Sequence, residues 1–374
     1  MNRKSISAIW IAVLLIGAVL SGCVEKEPEV QDGIERTHYD NEIGYTQKKS
    51  GLKLVIEQTT GEYRVEYQGG PWLAGGQVRF YANGQWFTSN PEDNKTQPLT
   101  LMEIDEGKGS DRLGDYKAIK IKWQLSNRKK APVDTLFYLY HDQPLITFEQ
   151  TFSEAIPNTS VGDFETAITA FPCFSTEKGE SSSLGYIAWG GIWHPMVKGK
   201  GLRDFTDELC RSTLQDCDPG AEGFPLVLYD ENLNALVLSP LNNFMIGVQS
   251  TKPEGDLFSC GVEGEIKSIP EGFSYRTVLY AGKGINQALY EWGDTLLRWH
   301  GKKRTDPYAD VGLSYLQYWT DNGAYYYYNT EKGKNYEETL LDVKSYLDEI
   351  GLPVRSFQLD SWWYFKEGEW ALSP

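Results

Sequence analysis

Between residues 118 and 124, apolar Ile119, Ile121 and Trp123 alternate with Lys120, Lys122 and Gln124. That is the period-two pattern of a strand with one face in a core and the other in water. Short runs that alternate or are rich in β-branched residues recur at 52–57, 63–67, 77–81, 135–140 and 145–152. Gly61, Gly69-Gly70, Asn83-Gly84, Asn127 and His141-Asp142 punctuate them as turns. The pattern continues through 185–193, 225–229, 235–239, 245–249, 257–262 and 274–280, and no helical period of comparable strength occurs before residue 286. So many strands over about 230 residues exceed an immunoglobulin-like domain and predict a large two-sheet sandwich.

The period then changes. Leu289, Trp292, Leu296 and Trp299 share one face of a helix over 287–300, and Lys302-Lys303-Arg304-Thr305-Asp306-Pro307 follows as a joint. Val311, Leu313, Tyr315, Leu316 and Tyr318 form an apolar run that reads as a buried strand; it breaks into Trp319-Thr320-Asp321-Asn322-Gly323 and the tyrosines Tyr325 to Tyr328. Tyr336, Leu340, Val343, Leu347 and Ile350 then fall on one face of a second helix. Asn335 with Glu338 opens it as in a capping box, and Gly351 and Pro353 close it. A last run over 354–359 leads to Asp360 and to Trp362, Trp363, Tyr364 and Phe365. Strand, helix and strand of these lengths make a βαβ unit.

Chemistry in such units gathers beyond the C-terminal ends of the strands, where this chain places Trp319, Asp321, Asn322, Asp360, Trp362 and Trp363. These residues suit a sugar: indole faces stack on the C–H faces of a pyranose, and a carboxylate accepts hydrogen bonds from paired hydroxyls. The bland alternative for the tyrosines and tryptophans is core or interface packing. Asp360 resists it, because a carboxylate directly after a buried strand is costly unless it faces a cleft or a partner. The block from Trp189 to His194 fits either a sugar-lined wall or, better, a packed strand with a glycine bulge.

Composition narrows the classes. The net charge of −16, with no basic patch, opposes binding to nucleic acid. The four histidines are not clustered, and Asp216, Asp218 and Gly220 lack the further ligands of a calcium loop, so neither a metal nor a cofactor is expected. Arg3 and Lys4 precede an apolar run over 6–20 and then Ser21-Gly22-Cys23, the form of a secretory signal peptide. Leu20-Ser21-Gly22-Cys23 resembles the lipobox of prokaryotic lipoproteins, which implies cleavage before Cys23, lipid on its thiol and a place on the extracytoplasmic face of the cell membrane. The acidic, proline-containing stretch that follows reads as a flexible tether over 23–45. Of the four remaining cysteines, Cys210 and Cys217 make the nearest local bridge, with Cys173 and Cys260 the other two; buried thiols are the alternative.

A large sandwich, a linking helix and a βαβ unit ending in Leu359-Asp360 resemble the start of retaining glycoside hydrolases of the α-galactosidase and raffinose synthase clan. Those enzymes place a galactose-mutarotase-like sandwich before a (β/α)8 barrel. Tyr318-Trp319 matches the aromatic end of their first barrel strand, and Leu359-Asp360-Ser361-Trp362-Trp363 is similar to their Leu-Asp-Asp-Gly-Trp at the end of the second. The match implies that Asp360 binds sugar hydroxyls. Ser361 and Trp362 stand where the clan has Asp and Gly, so α-galactoside specificity does not carry over. The expected fold class is therefore mainly β, a mutarotase-like sandwich and the incomplete beginning of a TIM barrel. Its parts are a signal peptide over 1–22, the tether over 23–45, the sandwich over 46–285, a linker over 286–310 and the βαβ portion over 311–374.

A whole barrel takes about 250 residues, and the clan's nucleophile and acid/base follow strands four and six. The chain is thus expected to be the N-terminal portion of a lipid-anchored glycosidase acting on α-linked glycosides by a retaining two-carboxylate mechanism. It carries no catalytic residue itself, and downstream sequence or a second chain supplies the missing strands. The competing expectation is a non-catalytic surface lipoprotein that binds carbohydrate; a third is an envelope structural lipoprotein with no sugar ligand.

Overall fold

The structure, a computed structural model, describes residues 33–91, 96–125, 131–189, 196–203, 224–252, 255–320 and 329–359. The chain divides into two compact units, Met1–Leu289 and Tyr290–Pro374. In the first, β1 (Ile34–Tyr39), β2 (Glu42–Gln47), β3 (Lys53–Glu57), β4 (Tyr63–Tyr67) and β5 (Gly70–Gly76) form an antiparallel five-stranded meander. There follow β6 (Arg79–Ala82), β7 (Gln85–Thr88), β8 (Gln97–Asp111), β9 (Gly114–Leu125), β10 (Val133–Tyr140), β11 (Leu145–Phe152), β12 (Ile156–Pro157) and β13 (Ala167–Ser175). The unit continues with β14 (Gly185–Trp189), β15 (Met196–Lys200), β16 (Leu226–Tyr229), β17 (Asn234–Pro240), β18 (Gly247–Ser250), β19 (Leu257–Glu263), β20 (Ser268–Ile269) and β21 (Ser274–Lys283). Most of these form a 14-stranded sheet ordered β15-β14-β16-β17-β21-β11-β10-β9-β8-β7-β6-β13-β19-β18, while β12 and β20 pair apart.

That sheet turns at a weak seam where β7 and β8 share only the parallel pairs Phe87–Gln97 and Thr88–Pro98, and β6 joins β13 by two pairs as well, Phe80–Thr169 and Arg79–Ala170. Across the seam β13 comes to face β11, which makes a sandwich of what the hydrogen bonds join as one sheet. The meander extends the β13 layer, since Gln77 N–H just after β5 bonds to Cys173 O at 2.9 Å. Where the layers meet, Tyr63 of β4 packs edge-on against Phe137, Phe171 and Phe174 at centroid distances of 5.1, 5.6 and 5.4 Å. Phe137 meets Phe171 at 5.0 Å and Phe148 meets it at 5.7 Å. The fully buried Tyr63 hydroxyl accepts from Cys173 N–H at 2.9 Å and faces the carbonyls of Gln77 at 3.1 Å and Cys173 at 3.2 Å.

In the second unit α1 (Ile285–Trp299), which begins before the boundary, leads through a 3-10 turn at Pro307–Ala309 to α2 (Val311–Ser314), β22 (Leu316–Trp319), α3 (Tyr336–Glu349) and β23 (Val354–Gln358). β22 and β23 are parallel. The capping box forms as the spacing predicts, with Glu338 N–H to Asn335 Oδ1 at 2.9 Å and Asn335 N–H to the Glu338 carboxylate at 3.0 Å. Gly351 takes a φ of 72° and lets Leu352 N–H reach back to Leu347 O at 2.9 Å, ending the helix. The fold is mainly β: a large sandwich, then the βαβ order with which a (β/α)8 barrel opens.

Several local expectations are corrected. Residues 34–45, read as acidic tether, are ordered as β1 and most of β2, because Ile34, Ile43 and Tyr45 enter the core and Arg36 and Lys117 neutralise Glu106 at 2.9 and 2.6 Å. The apolar run from Val311 is neither all strand nor buried, since Val311, Leu313, Tyr315 and Leu316 are all exposed. Asp310 caps α2 by accepting from Gly312 N–H at 2.7 Å, and extended backbone resumes only at Tyr315. Residues 244–246 form a 3-10 turn entered through left-handed Asn243, with Met245 left 97% exposed, so β18 starts at Gly247. β13 is absent from the sequence prediction: it is buried on both faces and therefore shows no alternation, and its Pro172 sits at a break in register between Ala170 and Cys173. Ile350, assigned to the inner face of α3, is exposed at the helix end.

Tyr63→Phe keeps the ring contacts and strips the hydroxyl from Cys173 N–H, so it is expected to cost about 1–3 kcal/mol. Urea unfolding measures it, and an unchanged midpoint would show that the hydroxyl contributes nothing.

Candidate functional site

The parallel register pairs Tyr318 with Phe357 and Trp319 with Gln358, and Thr320 N–H donates to Gln358 O at 3.2 Å. Tyr318 and Phe357 also pack ring to ring at 5.3 Å. Both strands therefore end at one level. Trp319 stands there 45% exposed, level with a residue two positions before Asp360 in the sequence. Leu316 at the other end of β22 is as open, at 51%, so it is the strand-end position of Trp319, not its exposure, that suits an indole for stacking on a ligand. Asp321, Asn322, Asp360, Trp362 and Trp363 lie outside the described residues, as do Cys23, Cys210, Cys217 and Tyr325 to Tyr328; Trp189 ends β14, and His194 too lies outside. On the side of the unit formed by α3, Tyr336, Leu340, Leu341 and Lys344 with Phe357 and Leu359 line a cleft of about 560 Å³. Its largely apolar walls suit packing better than a polyol.

A dense polar constellation that no local sequence signal announced lies in the sandwich unit. Antiparallel register sets Glu149 of β11 opposite Arg276 of β21. Arg276 Nη2 reaches Glu149 Oε2 at 2.5 Å, its guanidinium lies 4.2 Å from the Tyr138 ring centroid, and Tyr138 donates to the same Glu149 oxygen at 2.7 Å. Tyr140 donates to Asp111 Oδ2 at 2.7 Å, and Tyr116 packs edge-on against Tyr138 at 4.9 Å. Burial, reinforced by the adjacent carboxylates, drives both phenols well above the usual tyrosine range. They remain protonated donors. Burial alone would lower the Arg276 pKa, but the Glu149 carboxylate outweighs it and the result is raised.

Each carboxylate here is engaged by a tyrosine and by Arg276, so the arrangement ties four strands together and leaves no base poised for chemistry. No local motif announces it: Glu149 and Arg276 stand 127 residues apart. Cys173 and Cys260 are buried thiols, and burial pushes the Cys260 thiol well up, away from nucleophilic thiolate. No group of three or more His, Cys, Asp or Glu side chains that could hold a metal ion occurs among the described residues.

Glu149→Ala leaves the Arg276 guanidinium buried without its main partner and is expected to cost about 3–5 kcal/mol, whereas Glu149→Gln, which keeps an acceptor oxygen, costs less. Thermal unfolding of the two variants checks the order; equal losses would mean that the charge is immaterial.

No protein-family profile and no curated protein sequence matches the chain. Among solved structures it is similar to the ligand-free alpha-N-acetylgalactosaminidase NagBb from Bifidobacterium bifidum, at 10% identity and a TM-score of 0.49, over 91% of this chain and 54% of that one. It is also similar to the GH36 alpha-galactosidases AgaA and AgaB from Geobacillus stearothermophilus. AgaA gives 11% identity, a TM-score of 0.44 and coverage of 91% and 52%. AgaB gives 12%, 0.42, and 90% and 50%. The chain spans about half the length of these proteins, which are by their names glycoside hydrolases.

Proposed function

We propose that this chain carries the sandwich and the opening βαβ unit of a glycoside hydrolase-like protein that acts on α-linked glycosides by a retaining mechanism. The observation behind the proposal is the parallel β22–α3–β23 unit, whose strands end together at exposed Trp319 and two residues short of Asp360. Trp319 offers its indole face to the C–H face of a sugar, and Asp360 accepts hydrogen bonds from neighbouring hydroxyls. Retaining hydrolysis requires two carboxyl groups roughly 5 Å apart across the scissile bond. By the resemblance to the clan these follow barrel strands four and six, so the residues of this chain hold sugar and the whole protein hydrolyses it. The Arg3-Lys4 start, the apolar run and Leu20-Ser21-Gly22-Cys23 support export and a lipid anchor on Cys23, with the sandwich on the extracytoplasmic face.

Titration of the chain with a panel of α-linked oligosaccharides that differ in their sugar, followed by tryptophan fluorescence, is expected to show saturable binding of at least one without turnover. Trp319→Ala and Asp360→Ala should each weaken it by about tenfold or more. Binding indifferent to both substitutions would overturn the site; binding by the whole protein with no hydrolysis of any α-glycoside would make it a non-catalytic surface carbohydrate binder. Cys23→Ser is expected to move the protein from the membrane fraction to the soluble fraction and to abolish fatty-acid labelling, and retention in the membrane would refute lipid anchoring through that residue.

A further inference from the structure

The sandwich unit carries a second concavity of chemical interest, of about 560 Å³, lined by Tyr81, Asn83, Gly84, Asn158, Ser160 and Lys267. The tip of the β6–β7 hairpin and the ends of β12 and β20 build it. Two turns meet there and lock each other. Asn83 and Asn158 both hold left-handed backbones, with φ of 53° and 54°; Asn83 N–H donates to Asn158 O at 2.9 Å, and the Asn158 amide donates to Asn83 Oδ1 at 2.8 Å. The pair is fixed before any ligand arrives. It still has capacity: the Asn83 amide keeps two donors and the Asn158 amide one donor and its oxygen, while Ser160, which donates to Gly264 O at 3.1 Å and accepts from Gly162 N–H at 3.1 Å, keeps one acceptor position.

The remaining walls add an apolar face and a charge. Tyr81 is half-buried and held edge-on by Trp86 at 5.3 Å, and Trp86 is itself pinned beneath the Arg79 guanidinium at 4.4 Å. Lys267 makes no ion pair with any carboxylate among the described residues, and none of the lining residues is acidic. Lys267 is exposed at the rim, and with no acid among the lining residues its ammonium is offered to an anion.

We propose that this pocket is a binding site for a saccharide bearing a carboxylate, a hexuronic acid residue within a glycan. The Lys267 ammonium pairs with the carboxylate. The Asn83 and Asn158 amides bridge adjacent ring hydroxyls, donating to one and accepting from the next. Tyr81 covers a C–H face of the ring. The site belongs to the sandwich unit alone and does not depend on the strand ends of the second unit.

Isothermal titration of the full chain with trigalacturonate and with its neutral counterpart, galactotriose, tests the assignment. The acidic sugar is expected to bind at least tenfold more tightly than the neutral one. Lys267→Gln, on the exposed surface, should erase that preference, and Asn158→Gly, which removes the amide while tolerating the left-handed backbone, should weaken both sugars by about tenfold. Binding of neither sugar by the natural chain, or an acidic preference untouched by Lys267→Gln, overturns the proposal. Acidic-sugar binding lost in Asp360→Ala but retained in Lys267→Gln also overturns it and assigns the sugar to the strand ends instead. Binding that needs Lys267 and is indifferent to Asp360 and Trp319 upholds this pocket even where the strand-end site fails.

Discussion

The architecture of the first unit depends on one buried phenol. Tyr63 arrives on the five-stranded meander, touches Phe137 from one layer and Phe171 and Phe174 from the other, and closes its hydroxyl onto the backbone around Cys173. Aromatic edge contacts of this kind add about 0.5–1.5 kcal/mol each beyond the area that they bury. The hydroxyl adds geometry, because a single tyrosine serves the N–H of an interrupted ladder at the irregular stretch of β13. With only two residue pairs joining β7 to β8, the ladder itself does little to hold the two halves of the long sheet in place. Side-chain packing across the layers takes over that task.

Charge is used in the same economical way. Glu149, Arg276 and their tyrosines satisfy one another on a nearly dry face of β10, β11 and β21, and Glu106 gathers Arg36, Tyr45 and Lys117 to fasten β1 and β2. Networks closed on themselves specify register, since a slip of one residue would expose every partner. They offer little to a ligand. The asparagine pair at the rim of the sandwich is the contrasting case: tied by two hydrogen bonds, it retains donors and acceptors toward solvent. The second unit follows a different logic, in which two parallel strands and one capped helix align their ends, and function is proposed where the strands stop.

Much of this was legible in the residues. Alternation placed β4 and β9 because each has one face in the core and one nearer water, while β10, β11 and β21, buried on both faces, were found by their β-branched and aromatic residues between turn signals. The steps of three and four from Tyr336, with Asn335, Glu338 and Gly351 at the ends, placed α3 because capping is local chemistry. The strand-end position of Trp319 came from the same local signals. What escaped was non-local. β13 carries no period since both its faces are covered, and β1 and β2 read as solvated tether because nothing in an acidic stretch announces the Arg36, Lys117 and Glu106 cluster that orders it.

The sequence by itself determined most of the kinds of element and the change from sandwich to βαβ, and it supplied the residues proposed for sugar chemistry, all of which depend on neighbours within a turn or two of chain. Only tertiary structure decided which strands are adjacent, that Glu149 meets Arg276 across 127 residues, and that the turns bearing Asn83 and Asn158 face each other over 75. Such pairings rest on loop closure and on the burial of whole faces, and neither leaves a mark on the residues at the ends of the loop.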